Sequence, residues 1–511
     1  MASTTPEPLI SYGGRITQLA DAHPDQTALI FVSADGAERT VSWRELERLS
    51  TQMARLFMQH GVNETSLLVV GLPNSVEHVC AALAGWKLGA LVLPLRAALP
   101  AWERDRILDV GQPALVVADW DGVRFPALRP DDLREAESLS DAPPLPDRMP
   151  HPGRAIASGG STGTPKIIVD PRPWGARPGE NYFGYGAGYR PGQVQLLAAP
   201  LYHNSPFGWI HSGLFDDQLI VLMEHFDAAR VVDLIERHRA QFMFMSPTMM
   251  GRIARLPGVT ERDFSSLEAI YHTSAPCPIW LKRFWITLIG AEKVYEGYGS
   301  TEGIGAARIR GDEWLDHPGS VGRGHLTHIR ILDSDGRDLP PGAIGEIYTK
   351  RTFDRPTYEY IGSPPIPLTP DGYGSVGDLG WLDEAGYLFI ADRRVDMIVT
   401  GGANVYPAEV EAALSQHPEI ADLVVIGIPH EDWGRSVHAV VQPRHPDHPP
   451  SAEALDQYCR ERLTSYKVPK SYEFVTWLPR NQLGKVRRSD MIAERVNAGY
   501  PGIIWLKPRS G

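Results

Sequence analysis

Short apolar runs alternate with helical stretches early in the chain, and this order constrains the fold more than any other feature. Ser42 is followed three residues later by Glu45, the pattern of a capping box, and apolar residues then recur at helical spacing. An apolar run follows at 67–70, then a second helical stretch at 76–88 and another apolar run at 91–95. Strands that alternate with helices pair in parallel, so the sequence predicts an α/β fold.

Three proline-rich segments predict where regular structure is interrupted. They lie at 143–152, 356–370 and 443–450. Proline removes a backbone donor and fixes φ, so we expect connectors without helix or strand in all three.

The pattern restarts near the C-terminus. A helix is expected through 407–414, with buried strands at 423–428 and 437–441. We therefore predict two domains: a large N-terminal domain with mixed sheets and helices, residues 1–394, and a smaller α+β domain, residues 395–511.

Composition excludes several classes of protein. Lys plus Arg total 50 against 62 for Asp plus Glu, a formal charge of −12, so nucleic acid is not expected as a partner. Cys80, Cys277 and Cys459 form no C-x-x-C pair for zinc or redox chemistry, which favours a reducing cytoplasm. No stretch reaches the ~20 apolar residues of a membrane span, and the first residues lack a signal-peptide pattern.

Residues 158–166 read Ser-Gly-Gly-Ser-Thr-Gly-Thr-Pro-Lys and suggest an anion-binding loop. Glycines let backbone amides approach an anion, while hydroxyls and a lysine add donors and charge. The stretch is not the P-loop of NTPases, because Pro165 precedes the lysine and a β-branched run follows it where a P-loop has a helix. Taken alone, it is equally consistent with a flexible hairpin turn.

Four later segments follow this loop: Tyr-Gly-Ser-Thr-Glu-Gly at 298–303, Gly-Asp-Leu-Gly-Trp at 377–381, Asp-Arg to Gly-Gly at 392–402, and Leu-Gly-Lys at 483–485. Their order and spacing resemble the adenylate-forming superfamily of acyl-CoA synthetases, stand-alone adenylation domains and firefly luciferase, over nearly the whole chain. The resemblance implies ATP, Mg²⁺ and coenzyme A, and a C-terminal domain that is mobile. A carboxylate would attack the α-phosphate of ATP to give an acyl-adenylate and pyrophosphate, and a thiol would then take the acyl group.

The resemblance also assigns site residues, position by position. The loop that would hold the β- and γ-phosphates consists of Ser161, Thr162, Gly163, Thr164 and Lys166. The other positions that would contact the nucleotide are Ser274, Ala275, Pro276, Glu296, Gly297, Tyr298, Gly299, Ser300, Thr301, Asp378, Arg393 and Lys485.

Five positions have distinct implied roles. Tyr298 would stack on adenine, and Asp378 would accept from the ribose hydroxyls. Thr301 would donate to the α-phosphate and Glu302 would bind Mg²⁺. Lys485 would bridge the acid and the nucleotide and stabilise charge at phosphorus.

Each of these residues also has a purely structural explanation. Lys485, with Arg487 and Arg488, is also consistent with a solvated basic face. In addition, two positions depart from the family pattern: Val395 stands at the usually polar hinge, and an arginine follows Gly434 where relatives often carry glutamate.

The acceptor and the acid are implied less directly. Gly401 and Gly402 would line the path of the coenzyme A arm. His203 would gate or orient the acid, beside Asn204 and Phe207, although a structural histidine is an equal alternative. The apolar residues Phe207, Trp209, Met245, Met249 and Met250 can form either an acid pocket or ordinary core.

Small residues at Ser274 and Gly297 favour a wide cyclic, polycyclic or aryl acid. The segment around His203 and residues 393–396 resemble those of bile-acid or terpenoid acid CoA ligases. The sequence therefore predicts an acid–CoA ligase, as a monomer or homodimer. Three alternatives remain: transfer of the acyl group to a carrier protein or another nucleophile, including diazo formation from nitrite; a luciferase-type oxygenase; and a silent nucleotide-binding homologue.

Overall fold

A computed structural model describes residues 8–159, 165–180, 186–354, 356–393, 396–400, 403–430, 433–481, 484–499 and 502–506, with the backbone alone at 158–159 and 392–393. The α-helices are α1 (Tyr12–Ala22), α2 (Trp43–Gln59), α3 (Val76–Lys87), α4 (Ala101–Gly111), α5 (Asn204–Phe215), α6 (Ala228–His238), α7 (Pro247–Ala254), α8 (Ile279–Ile289), α9 (Gly311–Asp316), α10 (Pro407–Leu414), α11 (Ala452–Arg460) and α12 (Arg488–Ala498). Short 3₁₀ helices occur at Asp132–Ser138, Val259–Glu261 and Ala291–Lys293.

The strands are β1 (Ile10–Ser11), β2 (Thr27–Val32), β3 (Glu38–Ser42), β4 (Leu67–Gly71), β5 (Leu91–Pro94), β6 (Leu115–Ala118), β7 (Ala127–Leu128), β8 (Arg154–Gly159), β9 (Pro165–Asp170), β10 (Gly175–Ala176), β11 (Val194–Leu197), β12 (Leu219–Met223), β13 (Phe242–Met245), β14 (Ala269–His272), β15 (Val294–Gly299), β16 (Ala306–Arg310), β17 (Arg323–Gly324), β18 (Thr327–Leu332), β19 (Gly345–Arg351), β20 (Glu359–Ile361), β21 (Asp378–Leu382), β22 (Leu388–Arg393), β23 (Ile398–Thr400), β24 (Ala403–Val405), β25 (Ile420–His430), β26 (Gly434–Pro443), β27 (Ser471–Phe474) and β28 (Ile504–Trp505).

The α/β prediction for the first hundred residues is confirmed. The Ser42 hydroxyl caps α2 by accepting from the amide of Glu45, so the capping box marks the true start of the helix. Strands β4 and β5 pair in parallel across α3, inside a seven-stranded sheet of order β20-β9-β8-β5-β4-β6-β7. Both faces of this sheet are covered, which explains why β4 is apolar throughout.

A nine-stranded sheet positions most of the site. Its order is β17-β16-β15-β14-β13-β11-β12-β2-β3, and the strands from β15 to β2 run parallel. The loops that follow β11, β13, β14 and β15 therefore leave the sheet at one edge. The chain leaves the sheet through residues 198–203, 246–248 (which enter α7), 273–276 and 300–303, so topology alone brings together segments that are far apart in sequence.

The chain consists of a large N-terminal and a smaller C-terminal domain. The largest apolar core lies between the two large sheets and includes residues of α1, α2, α3 and α5. A four-stranded antiparallel sheet, β18-β19-β21-β22, follows. Strands β23 to β28 form a separate sheet whose core contains no residue of the earlier cores among those described. The helix predicted at 407–414 is α10, and the two predicted strands lie within β25 and β26.

One expected connector contains a strand. The segment 356–370 was predicted to lack regular structure, but Glu359–Ile361 forms β20 and pairs antiparallel with β9. Three residues between flanking prolines are enough because β20 is an edge strand, where proline is tolerated. In the part of the chain that is described, no helix combines the length and apolar character needed to cross a bilayer.

Two buried histidines predict a loss of stability in acid. Burial lowers the pKa of His78 to about 4 and that of His211 to about 3, although each Nδ1 lies within hydrogen-bond distance of a carbonyl. The unfolded chain binds protons below pH 6.5 while the folded chain does not, so stability should fall with pH, by up to ~1.4 kcal/mol per pH unit for each histidine.

Thermal unfolding midpoints at pH 7.5, 6.5 and 5.5 measure this effect. The wild type is expected to lose stability over this range, and His211→Gln, which keeps a side-chain donor, should lose less. Equal slopes for the two proteins would contradict the prediction.

Candidate active site

Lys166, Glu302 and Tyr360 form a closed triangle of polar contacts. The Lys166 Nζ lies 3.1 Å from Glu302 Oε1 and donates over 2.7 Å to the Tyr360 hydroxyl. That hydroxyl donates in turn to the same Glu302 oxygen over 2.7 Å. The structure thus brings together the lysine and the glutamate that the sequence predicted, and adds a tyrosine that it missed.

Glu302 is a buried carboxylate that is kept ionised. Burial works against ionisation, but the Tyr360 hydrogen bond and the charge of Lys166 outweigh it, and the pKa of Glu302 lies below its ordinary value. The loop that carries it is tied at its end, where Arg351 donates to the carbonyl of Gly303 over 2.7 Å. A buried, ionised oxygen ligand on a fixed loop fits the preference of Mg²⁺.

The end of β15 and the loop after it carry further residues that the sequence predicted for the site. Tyr298, half-buried, donates from its hydroxyl to Asp378 Oδ2 over 2.7 Å, which joins the predicted adenine and ribose residues. Gly299 is exposed and Thr301 is half-buried. The hydroxyl of Ser300 is buried and has no hydrogen-bond partner among the described residues.

The turn after β14 is strained where the nucleotide base was predicted to lie. Ser274 has φ +82°, a conformation that favours glycine, and Ala275 and Pro276 complete the turn. Such strain is stored most often at functional sites. The side chain of Glu296, on the neighbouring strand β15, is engaged in an ion pair, because its carboxylate lies 2.6 Å from the buried Lys282 Nζ. This predicted nucleotide residue therefore offers its backbone and not its side chain.

The lysine of the C-terminal domain is carried by a tight loop. The amide of Lys485 donates to Asn481 Oδ1 over 2.9 Å, and the amide of Asn481 donates to the carbonyl of Lys485 over 2.8 Å. Arg480 donates to the carbonyl of Gly484 over 2.8 Å and also pairs with Asp422. These contacts fix the direction in which the lysine leaves the small domain.

This loop is docked against the large domain. A Cβ on Gly484 would lie 1.8 Å from Thr248 Oγ1, so the backbone of Gly484 packs directly on the Thr248 side chain with no room for a side chain of its own. Arg487 also pairs with Glu103 of α4 over 2.6 Å. Arg488 is half-buried and pairs with Asp396 and Glu411 inside the small domain, whereas Lys485 and Arg487 are exposed.

Docking brings the charge of Lys485 close to His203. Burial, together with the smaller effects of the positive charges of Lys485 and Arg96, lowers the pKa of His203 to about 3. His203 is therefore neutral at physiological pH, and it cannot act as an acid in the cleft. Three buried polar atoms here have no partner among the described residues: Tyr202 OH, His203 Nε2 and Asn204 Oδ1.

Two expectations about the acid pocket require correction. Phe207 is fully buried and packs against Trp86 and His211 at ring-centroid distances of 5.6 and 4.5 Å, so it belongs to the core. The space beside Gly297 is already filled, because a Cβ there would lie 1.8 Å from the Tyr271 hydroxyl. The small residue therefore makes room for a neighbour and does not widen the channel.

Trp209, Met245, Met249 and Met250 are likewise buried in the main core. Several predicted residues lie outside the described residues: Ser161, Thr162, Gly163, Thr164, Val395, Gly401, Gly402 and the side chain of Arg393.

Sequence reasoning missed five residues that the structure places at the site: Tyr360, Arg96, Thr248, Glu103 and Tyr271. Arg96 had a usable signal, because it follows a buried parallel strand at its carboxyl end, where ligands bind in such sheets. The others depend on contacts between distant segments.

A family comparison decides the class of protein. The model of the AMP-binding enzyme family matches residues 16–353, and that of the AMP-binding enzyme C-terminal domain matches residues 409–485. The chain belongs to the AMP-binding enzyme family. Within the adenylate-forming superfamily, this AMP-binding enzyme is a member of the acyl-CoA synthetase branch and an AMP-forming acid–thiol ligase.

Similar proteins act on different acids. The fatty acid–[acyl-carrier-protein] ligase ScoC of Streptomyces coeruleorubidus is 30% identical over 482 residues, covering 89% of this chain and 91% of its own. The indoleacetate–CoA ligase of Aromatoleum aromaticum is 30% identical over 511 residues, covering 93% and 96%. The o-succinylbenzoate CoA synthetase of Bacillus subtilis, solved with its acyl-adenylate, has a TM-score of 0.78 at 27% identity, covering 93% and 97%.

Proposed function

We propose that this AMP-binding enzyme adenylates a bulky carboxylic acid with Mg-ATP and transfers the acyl group to coenzyme A. The observation that carries the proposal is the docked loop: Gly484 packs on Thr248, and the charge of Lys485 acts on His203 in the large domain. This placement supports a role in which Lys485 would reach both the acid and the α-phosphate.

The mechanism depends on positive charge and positioning. Acid and triphosphate repel each other, so the enzyme gains rate by placing cations where negative charge develops. Lys166 is positioned for the leaving pyrophosphate and Lys485 for the attacking carboxylate. The neutral His203 offers a hydrogen bond without adding charge, which holds the acid without competing with either lysine.

Glu302 is the residue that we propose for Mg²⁺. One of its oxygens is taken by Lys166 and Tyr360, which leaves the other for a metal. The ion would neutralise charge on the triphosphate. Asp378 would hold the ribose and Tyr298 the adenine. The bound nucleotide would either break the hydrogen bond between these two side chains or share it.

The proposed acid is flat and aromatic, within the wider class of cyclic, polycyclic and aryl acids. Tyr271 fills the space beside Gly297, and its ring packs 5.2 Å from that of the core residue Trp209. This filled space favours a planar ring over a polycycle. Relatives named for succinylbenzoate and indoleacetate support an aryl acid.

A carrier protein is the second candidate acceptor. It is favoured by the similarity to a fatty acid–[acyl-carrier-protein] ligase. The three cysteines are unpaired, in keeping with the proposed reducing compartment.

The test is a panel of acids incubated with ATP, Mg²⁺ and either coenzyme A or a phosphopantetheine-loaded carrier protein, read by pyrophosphate release and mass spectrometry. We expect acid-dependent pyrophosphate and an acyl-CoA, with aryl acids ahead of aliphatic acids. Acyl transfer to the carrier alone would support the second candidate. Absence of pyrophosphate with every acid would overturn the proposed function.

A further inference from the structure

Tyr360 lies on β20, beside Lys166 of β9 and Glu302 of the loop after β15. In the pairing of β20 with β9, Tyr360 is opposite Ile168. Lys166 is two residues before Ile168, so its side chain shares the face of the sheet that Tyr360 occupies. The pairing of an edge strand therefore sets the distance between the phenol and the ammonium group.

The phenol makes two kinds of contact with the lysine. Its hydroxyl accepts from Lys166 Nζ over 2.7 Å, and the same nitrogen lies 4.1 Å from the ring centroid. The ring itself packs on Tyr358 at 4.7 Å, and the Tyr358 hydroxyl accepts from the amide of Ile366. The tyrosine is thus held in place by packing, independently of its own hydroxyl.

The Tyr360 hydroxyl bridges the Lys166 ammonium group and the Glu302 carboxylate. It donates to Glu302 Oε1, so one carboxylate oxygen receives both Tyr360 and Lys166. Lys166 already contacts Glu302 directly, and the hydroxyl is the second anchor of the ammonium group. Two of the three ammonium donors are used by these anchors, which leaves the third in a fixed direction for a phosphate oxygen. Without the hydroxyl, the ion pair would remain but the direction of the ammonium group would no longer be fixed.

We propose that Tyr360 is a positioning residue for the triphosphate of ATP, acting through Lys166 and Glu302. The proposal rests on the proposed function, since it takes ATP as the nucleotide bound here. It predicts that loss of the hydroxyl weakens binding of the β- and γ-phosphates and leaves binding of adenosine monophosphate unchanged.

The test is calorimetric titration of the full-length enzyme with ATP plus Mg²⁺ and, separately, with AMP, both without acid so that no turnover occurs. Tyr360→Phe keeps the ring and its packing, and Tyr358→Phe is the matched control. We expect Tyr360→Phe to weaken the binding of ATP by ~10-fold, which is the effect of losing a hydrogen bond to charged groups. Tyr358→Phe should weaken the binding of neither nucleotide. In a Lys166→Met background, Tyr360→Phe should have no further effect on ATP binding.

Three results would overturn the proposal: wild-type affinity of Tyr360→Phe for ATP, equal weakening of ATP and AMP, or an additive effect in the Lys166→Met background. Absence of ATP binding by the wild type would overturn it together with the proposed function. Selective loss of ATP binding in Tyr360→Phe would support it even if no acid released pyrophosphate, so the two failures are distinguishable.

Discussion

Lys485→Ala is expected to lower the rate of acyl-adenylate formation by roughly 10³-fold, the effect of removing a preorganised charge from the transition state. The same variant should still transfer the acyl group from preformed adenylate to coenzyme A. The reason is that the proposed cycle would use the pose in which the Lys485 loop packs on Thr248 for the first step and a different pose of the small domain for the second.

The two half-reactions are measured separately, by single-turnover pyrophosphate release and by thiol consumption with added acyl-adenylate. Lys467→Ala is the control, because that lysine pairs with Glu409 within the small domain. An equal loss in both half-reactions would contradict a role confined to the first.

Gly484→Ala is expected to reduce the rate of adenylation by about 10²-fold, because the added methyl group would prevent the Lys485 loop from packing on Thr248. A methyl group at this position would lie 1.8 Å from Thr248 Oγ1, and the residue has φ +80°. Overpacking and backbone strain cost about 1–3 kcal/mol each, and ~1.4 kcal/mol is a tenfold change in rate. Acyl transfer from preformed adenylate should be unaffected.

Gly499→Ala separates the two causes. Gly499 has φ +70°, but a Cβ there would have no atom within 4 Å, so this control carries the backbone strain without the clash. Adding Thr248→Gly to Gly484→Ala should restore part of the rate. Wild-type adenylation by Gly484→Ala would show that the docked contact is not used.

Local signals predicted local structure well. The capping box gave the start of α2, and the helix at 407–414 has the bounds that its pattern predicted. The order of the motifs assigned Lys166 and Glu302 to one site, and the sheet topology brings Lys166 Nζ within 3.1 Å of Glu302 Oε1. These successes share a cause: neighbouring residues, or a complete motif, determine the feature.

The failures share a cause as well. Tyr360 was overlooked because its strand has three residues in a proline-rich segment, and its partner strand is distant in sequence. Gly297 was misinterpreted because an absent side chain does not tell which neighbour fills the space, here Tyr271. Thr248 carries no local signal at all, since its role depends on a second domain.

The most direct test of the account is to lock the docked pose. In a Cys277→Ala background, whose other two cysteines are buried, Glu103→Cys and Arg487→Cys place two thiols where the interdomain ion pair lies, for a short bis-maleimide cross-link. The locked enzyme is expected to release one acid-dependent pyrophosphate per site and to form no acyl-CoA. A locked enzyme that releases no pyrophosphate, while the uncross-linked protein does, would contradict the account.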